Sequence, residues 1–189
     1  MKKILFFITA VVIAVVSIVV AKPYVDTYKE KQKYEFAVDT IDGEIKLSDF
    51  RGKTVALYFG YMYCPDVCPT SLSMLGEGLK GLSKEELDGF KGVFISVDPA
   101  RDTLKNLKEY ALYFHPNFVG ATSSDENILK ITQNYGTFFQ KEVLKNSAMG
   151  YSVSHTSYIY IFDKEGNLSA KLEHFVKPSD ITKALKKAL

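Results

Sequence analysis

The sequence predicts an α/β domain, a central mixed sheet flanked by helices, behind an N-terminal transmembrane helix. Three observations carry this expectation. An uncharged, mostly apolar run fills Ile4 to Ala21. Two short runs rich in β-formers, Val55 to Tyr61 and Val93 to Val97, are each followed by apolar residues at helical spacing. A third run, Tyr158 to Phe162, opens a strand–turn–strand pattern before a last amphipathic stretch. Strands alternating with helices imply parallel central strands covered by helices.

The apolar run comes directly after Lys2 and Lys3 and stops at Lys22-Pro23. About 20 apolar residues span a bilayer as a helix, whereas the apolar core of a signal peptide is about 7–15 residues. Its length therefore favours an anchor over residues 1–22. Val19-Val20-Ala21 also offers the small residue that a cleaved signal would need. In either case the lysines in front predict a cytoplasmic N-terminus, with the remainder exported. The expected location is a single-pass protein of the inner membrane, its globular domain on the periplasmic or extracytoplasmic side. Residues 23–33 are polar and charged and read as a tether, and residues 34–189 as one domain. With 47% hydrophobic residues, the chain can build a real core.

Within that domain, Tyr34 to Val38 and Ile45 to Leu47 flank the turn signal Asp42-Gly43. Val55 to Tyr61 reads as a buried central strand. Thr70 or Ser71 is placed to cap a helix carrying Leu72, Leu75, Leu79 and Leu82. Val93 to Val97 is a second buried strand. Leu104, Leu107, Ala111 and Phe114 then form a helical stripe. Ser124 caps a further helix with Ile128, Ile131 and Tyr135, and Gly136 ends it. Tyr158 to Phe162 and Leu168 to Leu172 make a hairpin, and Ser179 caps the last helix.

The net charge of +2 brings no basic stripe, so nucleic-acid binding has no footprint. Nothing points to a small-molecule substrate. The chemistry concentrates in the only two cysteines, Cys64 and Cys68, which follow the first central strand. A disulfide that stabilises a fold closes a long loop, and this pair closes a very short one. The pair therefore reads as redox or metal chemistry. Ligands of such sheets sit at the carboxyl ends of strands, where these cysteines lie. Amides at the start of the following helix favour thiolate. Three residues separate the cysteines, one more than in thioredoxin-type redox motifs, which lets both sulfurs turn toward one point. Pro65 and Pro69 restrict the loop. Two thiolates make a soft, low-coordinate site suited to Cu(I), whereas zinc usually takes four ligands. From the loop alone, copper and a redox Cys64–Cys68 disulfide remain open together.

Three histidines could extend the site. His115, before Pro116, and His174, in a charged stretch, read as surface or capping residues. His155 stands just before the strand Tyr158 to Phe162. In thioredoxin-like folds the loop entering this strand lies against the cysteine loop and usually carries a cis-proline that guards the disulfide. No proline occurs between Pro116 and Pro178. An imidazole at that position completes a Cys64, Cys68, His155 set able to hold Cu(I) or Cu(II).

The stretch Phe59 to Pro69 (FGYMYCPDVCP) resembles the Sco/SenC family of copper proteins. So do Leu47 to Lys53, Ser96 to Thr103 and Ser154-His155-Thr156, and the resemblance extends over nearly the whole chain. It implies a thioredoxin-like fold binding one copper ion per domain through Cys64, Cys68 and His155. It implies a metallochaperone rather than an enzyme, serving the dinuclear copper centre on cytochrome c oxidase subunit II by delivering copper. The alternative it implies is a thiol–disulfide oxidoreductase that reduces the cysteines of that target. Asp66 and Asp98 match the family pattern and are assigned at most an orienting role behind the ligands. Met62-Tyr63 departs from many relatives, and Met62 reads as core filling.

Overall fold

The computed structural model describes all residues except Met1 and Asn146, and within 2–14 it describes only the side chains of Phe6, Ile8 and Ile13. By its internal contacts the chain divides into two units, Met1–Lys33 and Tyr34–Leu189.

Helix α1 runs unbroken over Lys2–Tyr34, with Pro23 inside it. The tether expected over 23–33 is thus helical. Its Lys, Glu, Gln and Tyr residues include good helix formers, and they outweigh the single proline. Among the described residues no helix is long and apolar enough to cross a membrane. Of the span expected over 4–21, eight side chains lie outside the described ones.

The second unit holds a five-stranded mixed sheet with strand order β5-β4-β3-β8-β9. Its central strand β3, Thr54–Gly60, pairs in parallel with β4, Phe90–Ser96, and antiparallel with β8, Tyr158–Phe162. Strand β5, Phe118–Ala121, extends the parallel side, and β9, Leu168–Glu173, extends the antiparallel side. All seven residues of β3 are buried. A strand covered on both faces must be apolar throughout rather than alternating, which is why VALYFG reads as a continuous run.

Successive β3 residues serve opposite faces. Tyr58 stacks on Phe94, which in turn meets Tyr110 of helix α4, Leu104–Phe114. Phe59 meets Tyr135 of helix α5, Asp125–Tyr135, at a ring distance of 5.1 Å. Helix α2, Val67–Leu79, packs on helix α6, Pro178–Ala188, where Ile181 lies against Gly78 and Thr182 Oγ1 donates to the Gly78 carbonyl (2.7 Å). Ser124 caps α5, and Gly136 ends it in the left-handed conformation (φ 62°) that glycine adopts at little cost.

Several elements differ from the expectation. The turn hairpin is β1, Ala37–Thr40, with β2, Gly43–Lys46. Helix α3, Lys84–Asp88, and strand β5 are too short to show a period. Helix α2 begins at Val67 rather than after Thr70, so Cys68 and Pro69 sit inside its first turn, where proline forfeits no bond. The approach to β8 is not a loop. It is a second hairpin, β6, Phe139–Val143, with β7, Tyr151–His155, and its β6 strand is mostly exposed and polar.

Leu185 of α6 is fully buried beneath the sheet. Leu185→Ala should lower the free energy of unfolding by about 2–5 kcal/mol in a denaturant titration. A loss below about 1 kcal/mol would contradict this packing.

Candidate metal centre

Parallel β3 and β4 end at the same edge, where Val97 N–H donates to the Gly60 carbonyl (2.8 Å). Everything of chemical interest follows that edge. After Gly60 the chain turns through Tyr61 to Asp66 into α2, carrying Cys64 in the turn and Cys68 on the helix. His155 arrives from the other side as the last residue of β7. The ligand atoms of Cys64, Cys68 and His155 all lie within 4.8 Å of one another. Cys68 Sγ and His155 Nε2 are 3.2 Å apart, across 87 residues of sequence. This is the only such group among the described residues.

Gly60 makes room for this approach. A Cβ there would stand 3.0 Å from Cys68 Sγ and 2.9 Å from the Phe94 ring. Tyr58 and Tyr61 meet the His155 ring edge-on at 6.2 and 6.0 Å and limit its rotation. Behind Cys68 lie the buried hydroxyls of Tyr58 and Ser71. Neither hydroxyl stands out in sequence, because Tyr58 lies in an apolar strand and Ser71 in a helix.

The imidazole tautomer follows from its surroundings. Nδ1 lies 3.2 Å from the Thr156 carbonyl, which can only accept, so Nδ1 carries the proton. Nε2 is then the nitrogen turned to the sulfurs and the one placed to bind a metal.

The two sulfurs are free and inequivalent. Cys64 is half-buried and Cys68 fully buried. The Cys68 S–H, then His155 and the backbone amides of Asp66 and Cys68, hold Cys64 far below the ordinary thiol range, against the opposing effect of burial. The amide of Cys68, a donor in the first turn of α2, reaches Cys64 Sγ at 3.4 Å. The same partnership, reinforced by burial, keeps Cys68 protonated. Of the two sulfurs Cys68 therefore keeps its proton, and its Sγ faces His155 Nε2 at 3.2 Å.

The remaining sequence candidates lie apart from the three. Asp66 is exposed, and its carboxylate accepts from Thr70 Oγ1 (3.4 Å), so it orients no donor. Asp98 is fully buried, accepts from Arg101 Nε and the Tyr151 hydroxyl, and touches neither cysteine. Met62 packs on the core, and its N–H donates to Asp102 (3.0 Å). His115 ends α4, where Nδ1 accepts from the Asn117 amide (3.0 Å). His174 lies outside the three-donor group but shares with His155 a cleft of about 360 Å³, lined also by Val67, Tyr158 and Glu173.

A group with one half-buried thiolate and one fully buried thiol should react unequally. With reduced protein at pH 5–6, iodoacetamide should modify Cys64 at a rate nearly independent of pH, and Cys68 hardly at all, as read by peptide mass spectrometry. Equal labelling, or labelling of Cys64 that needs pH above about 8, would contradict the assignment.

Comparison with known proteins bears on the whole of the second unit. The model of the SCO1/SenC family matches residues 24–189. The "SCO2-like protein" of Rickettsia felis is 36% identical over 168 residues, covering 86% of this chain and 80% of that protein. The copper-bound structure of Arabidopsis thaliana ScoI superimposes with a TM-score of 0.74 at 30% identity, over 82% of this chain and 95% of the other. Copper-bound Bradyrhizobium japonicum ScoI gives 0.71 at 32% identity, over 82% and 98%. With the fold, the extent of the match and these relatives in agreement, the chain belongs to the SCO1/SenC family.

Proposed function

We propose that the protein is a copper metallochaperone that holds one copper ion through Cys64 Sγ, Cys68 Sγ and His155 Nε2. It passes that ion to the dinuclear copper centre of cytochrome c oxidase, on subunit II. The observation that carries the reading is the convergence of two sulfurs and an imidazole nitrogen within 4.8 Å at the end of a buried sheet. The donor set fits the ion: sulfur and imidazole suit copper, and three donors are too few for a closed structural zinc site. Copper bound in the related ScoI structures supports the same choice.

The residues divide the work. Cys64 stands ready as a thiolate at the surface, the natural point for an incoming ion or an incoming thiolate of the target. Cys68 and His155 hold the inner side, and Cys68 releases its proton when the ion is taken up. Exchange with the target then proceeds ligand by ligand, because a three-donor site leaves room for attack. Bound copper is Cu(I) in this scheme, and the imidazole allows Cu(II) as well.

Membrane attachment belongs to the proposal. The run Ile4 to Ala21 and the lysines before it support a single-pass anchor in the inner membrane, with residues 34–189 on the extracytoplasmic side.

A second reading rests on the reactive Cys64 thiolate, which could attack a disulfide of the target and be released by Cys68. It leaves the Nε2 lone pair without a task, so copper transfer is preferred. In the reduced full chain, His155→Ala should weaken Cu(I) binding by at least tenfold in competition with a chromogenic chelator. It should leave disulfide reductase activity nearly intact. Unchanged copper affinity would refute the three-donor reading, and unchanged copper affinity with reductase activity retained would favour the second.

A further inference from the structure

The donors come from two elements that share no sheet. Cys64 and Cys68 belong to the turn and helix after β3, whereas His155 ends the separate two-stranded sheet of β6 and β7. That hairpin is mostly exposed on β6 and is not hydrogen-bonded into the central sheet. Something must hold it in register with the cysteines.

Arg101, just after β4, reaches both elements. Its Nη1 donates to the carbonyls of Met149 (3.1 Å) and Tyr151 (2.9 Å), at the start of β7. Its Nε donates to Asp98, which is fully buried and also accepts from the Tyr151 hydroxyl (2.7 Å). The guanidinium carbon lies 3.7 Å from the centre of the Tyr151 ring and 4.9 Å from that of Tyr63, the residue before Cys64. It also lies 5.8 Å from the Tyr61 ring, whose edge meets His155. Rigid, planar and always charged, arginine can make these contacts at once, and lysine cannot.

We infer that Arg101, seated on Asp98, is a positioning residue that clamps the start of β7 to the cysteine turn and thereby sets His155 Nε2 against Cys68. From Tyr151 to His155 is four residues, about 13 Å of strand. The pairing of β7 with β6, from Phe139↔His155 to Val143↔Tyr151, keeps that lever straight. Arg101 and Asp98 hydrogen-bond to each other, to Tyr151 and to the β7 backbone rather than to a donor, so the clamp acts through the backbone and the tyrosine rings. Its effect on copper rests on the reading of His155 as a donor.

Arg101→Lys keeps a cation beside Asp98 but loses the fork. The double variant D98N/R101Q removes both charges together, so that neither is left buried alone. In metal-free full-length protein, either variant should speed amide exchange of Tyr151 to His155 by at least tenfold and leave β3 and β4 unchanged. Unchanged exchange in β7, or equal acceleration across the central sheet, overturns the clamp. In Cu(I) competition, Arg101→Lys should raise the dissociation constant about tenfold, the low end for residues that orient a ligand. In a His155→Ala background it should add less than twofold. An equal loss in both backgrounds overturns action through His155. If His155→Ala alone leaves copper affinity unchanged, the donor reading fails, and amide exchange still decides the clamp.

Discussion

The contact between Cys68 Sγ and His155 Nε2 is what the site depends on. It joins the first turn of a helix to the last residue of a strand, and both lie at the carboxyl edge of the parallel strands. Bringing a thiol and an imidazole together from so far apart in sequence costs chain entropy that the two groups alone could not recover. The buried sheet and the aromatic layers on each face supply the difference. Gly60 then lets the sulfur approach, and Tyr58 and Tyr61 border the ring.

From that contact the electrostatics follow. The imidazole offers Nε2 because the Thr156 carbonyl holds the proton of Nδ1. Cys68 keeps its proton because it is buried beside a second sulfur, and Cys64 loses its own because amides and the Cys68 S–H converge on it. The result is an asymmetric pair with a reactive outer sulfur and an inner sulfur held in reserve. Such a pair serves either metal exchange or disulfide chemistry, and the lone pair of Nε2 weighs the choice toward metal.

Much of this was legible in the sequence, for physical reasons. β3 and β4 are covered on both faces and so write themselves as unbroken apolar runs. The helices α4 and α5 show their buried stripes directly, and α5 its caps as well. The cysteines stood out through their spacing, and His155 through the missing proline. What stayed hidden has equally plain causes. The four-residue β5 is too short for a pattern, and β6 is too exposed to carry one. The start of α2 at Val67 was masked because Cys-Pro reads as a turn, although proline is at home in a first helical turn. The tether's helix shows that charge and polarity do not by themselves mean an extended chain. Arg101 was visible only as part of a local stretch, since the β7 carbonyls it holds lie some fifty residues away.

The central claim is that two sulfurs and one imidazole nitrogen form a single donor set. X-ray absorption at the copper edge of the loaded, reduced full chain tests it most directly. The account predicts two sulfur scatterers and one nitrogen scatterer, with the outer-shell pattern of an imidazole. A spectrum fitted by two sulfurs alone, or the same spectrum from His155→Ala, would contradict it.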